Sequence, residues 1–270
     1  MRSVLRAAIP LALLAAALVR IPGWSDPMAL NPPAIKQETQ KHLRAETIIQ
    51  RSLEQNRRRE QLLAGYQVSR HYHLENEVLE NDSDMKVEVS YKSPDQLHFE
   101  ILSQQGSGFV ADRIWRRILE AEQEALKPLL KQRSAITLEN YSFELRGEEM
   151  LAGRPAYVLA VTPKREDTFL FLGQIWIDQQ DFALARAEGT MPKRPSFWIR
   201  KIEFVRTFKK VGPLWFAKRT EGTVEVLLLG TTWITITSGD YQIHLNSAGF
   251  FPPAGARRTA PPSHFGEARR

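Results

Sequence analysis

The sequence predicts a mainly β fold of the α+β class: an antiparallel sheet built as an up-and-down meander, with two helical stretches beside it. Three observations predict it. From Tyr66 to about residue 245, short runs rich in Val, Ile, Phe, Tyr and Trp follow one another, some with clean period-two alternation. The links between the later runs are short and carry turn chemistry, such as Gln179-Gln180-Asp181 and Val211-Gly212-Pro213, which suits antiparallel neighbours. There is no strand–helix–strand rhythm and no repeat of solenoid period, so a parallel sheet and a repeat array are excluded.

The chain has 270 residues, of which 43% are hydrophobic and 25% charged. That is ordinary globular composition, and it excludes collagen-like and wholly disordered classes. With no cysteine, disulfides, zinc–thiolate sites, iron–sulfur clusters and a cysteine nucleophile are excluded. The net charge of +6 is too mild to name a partner.

In chain order, residues 1–25 read as an export signal. Arg2 and Arg6 precede an uncharged apolar run from Ala7 to Val19, which is shorter than the roughly 20 residues a membrane span needs. Gly23-Trp24-Ser25, cut before Asp26, is the best cleavage candidate. Residues 26–246 form the expected folded domain, and residues 247–270, rich in Pro and Arg, an unpacked tail. Ile35 to Ala64 has helical chemistry, with a break or solvated turn expected between Gln55 and Glu60, where Arg57-Arg58-Arg59 leave no apolar residue. Gly65 is its expected stop. Strands follow at Tyr66–Leu74, Lys86–Lys92 and Leu97–Leu102. Phe109 to Leu126 is amphipathic, with Val110, Ile114, Ile118, Ala121, Ala125 and Leu126 on one side, and Pro128 closes it. The later strands are expected at Tyr141–Glu148, Pro155–Thr162, Phe169–Asp178, Phe182–Gly189, Phe197–Phe208, Trp215–Leu229 and Thr231–Ile243.

Several of these strands look apolar on both faces. In Phe169–Asp178 one face carries Phe169, Phe171, Ile175 and Ile177, and the other Leu170, Leu172 and Trp176. In Phe197–Phe208 one face carries Trp198, Ile202, Phe204 and Phe208, and the other Phe197, Ile199 and Val205. An antiparallel sheet normally wets one face. Two-faced strands need cover on both, which a strongly curved sheet supplies in part by enclosing its own inner side. That inner side is either filled by side chains or left open as a ligand cavity; both outcomes are common in small barrels.

Catalytic and metal chemistry find little support. His71 and His73 lie two apart on one side of a strand, a spacing that suits a metal but lacks a third ligand, and exposed strand histidines are the simpler reading. Glu120, Glu122 and Glu124 invite a search for paired acids, but Glu120 and Glu124 belong to a solvated helix face. There is no G-x-S-x-G, P-loop, G-x-G-x-x-G or H-E-x-x-H. The expectation is a protein that is not an enzyme, needs no cofactor or metal, and binds no nucleic acid.

The strand-rich half carries a resemblance. Gly153-Arg154-Pro155-Ala156-Tyr157-Val158-Leu159 leads to Thr162-Pro163-Lys164-Arg165. Gly173 to Asp178, Phe182 to Gly189, Pro195 to Lys201 and Gly212 to Phe216 follow in order. Together they resemble the bacterial outer-membrane lipoprotein-sorting proteins, a LolA-like group, over about residues 60 to 245. The resemblance implies a curved antiparallel sheet forming an incomplete β-barrel, with helices covering the concave face. It also implies a monomeric periplasmic carrier that shields lipoprotein acyl chains or lipids, receives them from an inner-membrane ABC exporter and yields them to an outer-membrane acceptor. On that reading Ile114 and Ile118 belong to a lid helix, and Trp176, Trp198 and Phe204 are the candidate cavity residues. The alternative on the same scaffold is a module that senses lipid or lipoprotein and signals to a membrane partner.

Overall fold

A computed structural model describes residues 44–78, 82–106, 108–227 and 230–246. The expected export signal, the lead-in and the tail lie outside the described residues, as do Leu228 and Leu229. No helix among the described residues is long and apolar enough to cross a membrane.

The chain enters through helix α1 (Ala45–Leu62) and passes directly into strand β1 (Leu63–Asn76). Strands β2 (Ser83–Lys92) and β3 (Gln96–Gln105) step outward to one edge of the sheet. Helices α2 (Phe109–Glu124) and α3 (Pro128–Arg133) connect that edge to the opposite one at β4 (Tyr141–Leu151). The chain then returns strand by strand through β5 (Arg154–Pro163), β6 (Leu172–Asp178), β7 (Leu184–Thr190), β8 (Ile199–Val211), β9 (Leu214–Val226) and β10 (Gly230–Ser238). There β10 pairs antiparallel with β1, from Arg70 opposite Ser238 to Asn76 opposite Thr232. A short β11 (Gln242–Leu245) pairs with the start of β1. The order β3-β2-β1-β10-β9-β8-β7-β6-β5-β4 does not close, because β3 and β4 remain as edges. The expected meander is present, in two pieces sewn together along β1 and β10.

One face of this open sheet carries most of the buried apolar side chains, and two helices cover it. Helix α1 sets Ala45, Ile48 and Ile49 against Leu159, Ile175, Ile177, Ile202, Phe204 and Val224. Helix α2 sets Ile114, Trp115 and Ile118 against Val68, Tyr72, Leu74 of β1, Met85, Val87 and Val89 of β2, and Ile234 and Ile236 of β10. Each fully buried aliphatic side chain contributes roughly 1.5–3 kcal/mol. The register places both clusters on the same face: Leu74 lies opposite Ile234, which lies opposite Gly222, which lies opposite Phe204.

Four expectations change. The arginine run does not break α1, which continues through Arg57-Arg58-Arg59 to Leu62. Arg58 pairs with Glu54 one turn earlier at 2.5 Å, and Arg59 bonds Asn56, so the polar face sustains itself. The stretch Phe169–Phe171 is not part of a strand; it precedes β6, and irregular backbone lets the successive Leu170 and Phe171 both enter the core. In β8 the register shifts between Ile199 and Lys201, so Ile199 joins Ile202 and Phe204 in one core. Bulges and irregular entry segments, rather than two covered faces, account for much of the apolar excess. The last expected strand is split as well, into β10 and β11.

The β4–β5 hairpin has positive φ at both central residues, Ala152 (51°) and Gly153 (80°), the conformation of a tight hairpin turn. At Gly173 an added Cβ would stand 2.0 Å from the Glu188 carbonyl oxygen, so this cross-strand contact with Gly189 admits no side chain.

Candidate functional site

The two helix-covered clusters leave a cavity between them. It has a volume of about 170 Å³ and lies where the C-terminal parts of α1 and α2 approach each other over β1, β8 and β9. Its apolar wall is aromatic. Tyr66 stacks on Tyr91 at 5.2 Å and meets Phe216 edge-on at 5.3 Å, and Phe216 stacks on Tyr241 at 4.4 Å. Leu126, Phe208 and Leu214 complete it. Burial pushes the Tyr66 hydroxyl up to about 12, so it stays a neutral donor at physiological pH.

The floor of the cavity is charged. Arg70 of β1 and Glu122 of α2 are both buried, and Arg70 Nη1 donates to Glu122 Oε2 at 2.5 Å. Tyr72 Oη donates to the other Glu122 oxygen at 3.2 Å. Burial alone would lower the Arg70 pKa, but the Glu122 carboxylate raises it above the ordinary value. Arg206 of β8 is 7% exposed and donates from Nε to Thr220 Oγ1 at 2.8 Å. Burial pushes its pKa down to about 10, with Glu122 opposing and Arg70 reinforcing the shift; the guanidinium remains charged at neutral pH. At the rim, Lys131 lies 3.7 Å from Glu60, and Arg59 donates to the Asp181 carbonyl. Trp215 donates to the Asp181 carboxylate at 3.0 Å.

The residues singled out from the sequence fall around this cavity rather than in it. Ile114 and Ile118 lie in the core under α2, and Trp198 and Phe204 in the core under α1. Trp176 is on the other face of the sheet, in a small cluster with Ala156 and Val158, where it bonds Glu149 and lies under the Arg186 guanidinium at 4.9 Å. None of the five lines the cavity. The residues that do, Arg70, Glu122 and Arg206, had a signal. Each interrupts an apolar series at its own period: Arg70 among Val68, Tyr72 and Leu74, Glu122 after Ile114 and Ile118, and Arg206 after Ile202 and Phe204.

His71 and His73 project from the opposite face to Tyr72, near carboxylates. His71 Nε2 is 2.7 Å from Asp84 Oδ1, and His73 contacts Asp84 at 3.0 Å and Glu75 at 2.8 Å. His73, Glu75 and Asp82 lie close enough together to share an ion, but Glu75 and Asp82 are exposed, as such acidic groups commonly are without an ion. The Glu75 hydrogen bond, opposed by burial and supported by Asp84, raises the His73 pKa above its ordinary value of 6.5. The stabilisation this represents is complete below about 6.5 and is lost as pH rises through the raised value. A ring titration followed by NMR should give a His73 midpoint above 6.5, and one at or below it would remove the pairing.

Residues 85–189 match the profile of the MucB/RseB N-terminal domain. Among solved structures, a DUF1329 family protein from Desulfovibrio piger is 11% identical, with 74% of this chain and 92% of that chain covered and a TM-score of 0.39. A putative outer membrane lipoprotein-sorting protein domain from Vibrio parahaemolyticus is 14% identical, covering 74% and 93% with a TM-score of 0.38. A LolA superfamily protein from Nitrosomonas europaea is 15% identical, covering 75% and 94% with a TM-score of 0.32. A search among curated proteins returns no match. The chain has the open antiparallel, helix-covered sheet expected from its sequence, and its residues 85–189 are similar to the MucB/RseB N-terminal domain.

Proposed function

We propose that this protein is a periplasmic binding protein that shields an acyl chain or lipid between its sheet and its two helices. The observation that carries the reading is the aromatic-walled cavity at the junction of α1 and α2, set between two separate apolar clusters on one face. Each methylene buried there is worth about 0.8 kcal/mol. The volume of about 170 Å³ is close to that of a cavity which admits a benzene-sized guest. A full acyl chain therefore requires the helix ends to separate, and α2 is the proposed lid. Carriage of lipoproteins from an inner-membrane exporter to an outer-membrane acceptor is the fuller form of this proposal.

Native purification from periplasm followed by mass spectrometry should recover a lipid or lipoprotein, and a repeatedly empty protein would reject the reading. Ile118→Asp forces a carboxylate into the core beneath α2 and should change fluorescent fatty-acid binding at least several-fold. Unchanged binding by a folded Ile118→Asp protein would count against α2 as the lid.

A second reading, a sensing or interaction module, is favoured by where the family match lies. Residues 85–189 include both edge strands, β3 and β4, and β3 exposes Ile101 and Leu102. An unpaired edge is the surface to which a partner strand adds. Retention of one inner-membrane protein in a pull-down, together with failure to release lipoproteins from membranes, would favour this reading over carriage.

A further inference from the structure

The charges around the cavity do not balance. Four cations line it, Arg59, Arg70, Lys131 and Arg206, against two carboxylates, Glu60 and Glu122. Lys131 is beside Glu60 at 3.7 Å. Arg59 donates to the Asp181 carbonyl and to Asn56. Arg70 takes one oxygen of Glu122, and the Tyr72 hydroxyl takes the other. Arg206 is left with the Thr220 hydroxyl on its Nε and with no carboxylate partner among the described residues. The Nε of Arg70, also buried, has no hydrogen-bond partner there. Glu122 thus serves two buried guanidinium groups while bonding only Arg70, and the site becomes a strong one for an oxyanion that brings the missing charge.

We propose that the cavity selects a single-chain amphiphile with an anionic head, a carboxylate or phosphate. The head pairs with Arg206 beside Arg70, and the tail lies along Phe208, Phe216 and Tyr66. This rests on the lipid-binding reading above and specifies its ligand class. The geometry supports it in two ways. The terminal nitrogens of Arg206 offer a fork that matches a carboxylate or phosphate. Arg206 and the aromatic wall line the same cavity, so head and tail meet suitable surfaces in one place. The size also fits: about 170 Å³ suits a head group with a few methylenes, whereas several acyl chains do not fit the cavity as it stands.

The test compares dodecanoate, dodecanol and acetate by calorimetry on the full chain, for the native protein, Arg206→Met and Arg206→Lys. Charge-assisted hydrogen bonds predict that the native protein binds dodecanoate about ten- to a hundredfold more tightly than dodecanol. In Arg206→Met that preference should fall to within about threefold, and Arg206→Lys should restore part of it. Acetate should bind too weakly to detect. Equal binding of dodecanoate and dodecanol by the native protein overturns the charge selection while leaving the lipid-binding reading intact. So does a preference that survives in Arg206→Met. Failure of both twelve-carbon ligands rejects the lipid-binding reading itself. Acetate binding as tightly as dodecanoate identifies a site for a free anion and overturns the amphiphile.

Discussion

Glu122→Ala is expected to destabilise the protein by about 3–5 kcal/mol, the range for removing one partner of a buried ion pair. The reason is what stays behind. Arg70 and Arg206 are both buried, and Glu122 is the carboxylate between them. Without it two guanidinium groups face each other in a low-dielectric site, and the Tyr72 hydroxyl loses its acceptor. Typical domains have roughly 5–15 kcal/mol in total, so the variant should unfold at a much lower urea concentration. The contrast that isolates the mechanism is the double variant Arg70→Met/Glu122→Met. Replacing both partners with apolar groups of similar size should cost less than Glu122→Ala alone. A double variant less stable than the single one would show that packing, not the stranded charge, governs the site.

The second large effect is at Trp115. Its indole is 2% exposed, meets the Tyr72 ring edge-on at 6.1 Å, and donates from Nε1 to Ser83 Oγ at 2.9 Å. Ser83 is fully buried at the start of β2, so this single side chain ties α2 to two strands. Trp115→Ala should cost about 3–5 kcal/mol, through lost burial and a cavity that relaxes only in part. Because Trp115 ties α2 to β1 and β2, the loss should be local as well as global. Amide exchange within α2 should accelerate relative to β8 and β9. If α2 acts as the lid, the same variant should admit long-chain fatty acids faster than the native protein. Uniform acceleration across the sheet would mean that α2 does not open as a unit.

The sequence made the meander legible because antiparallel strands with short turns are local objects. Alternation at Val87, Val89 and Tyr91, the turn at Ser93-Pro94-Asp95 and the amphipathic stripe at Ile114 and Ile118 each report on a few neighbours. The faults arose where one residue changed the parity. The shift between Ile199 and Lys201 and the irregular Phe169–Phe171 gave an impression of strands greasy on both sides. Trp176, a candidate cavity residue on the carrier reading, alternates with Ile175 and Ile177 and so lies on the other face. The arginine run in α1 looked like a break because tertiary partners such as the Asp181 carbonyl, 122 positions away, cannot be seen locally.

By itself the sequence determined the fold class, the long helix before β1, the amphipathic α2 and the absence of familiar catalytic motifs. These depend on periodicity and turn chemistry, which act over a few residues. Only the tertiary structure decided where the ligand-sized space lies and what charge it holds. Arg70, Glu122 and Arg206 are separated by 52 and 84 positions in the chain, and each alone is one charged residue in an apolar series. Pairing β1 with β10 and laying α2 across them brings the three together out of water. There the mismatch between two guanidinium groups and one carboxylate acquires its energy, because a charge imbalance that solvent would screen on an open surface persists in a buried one.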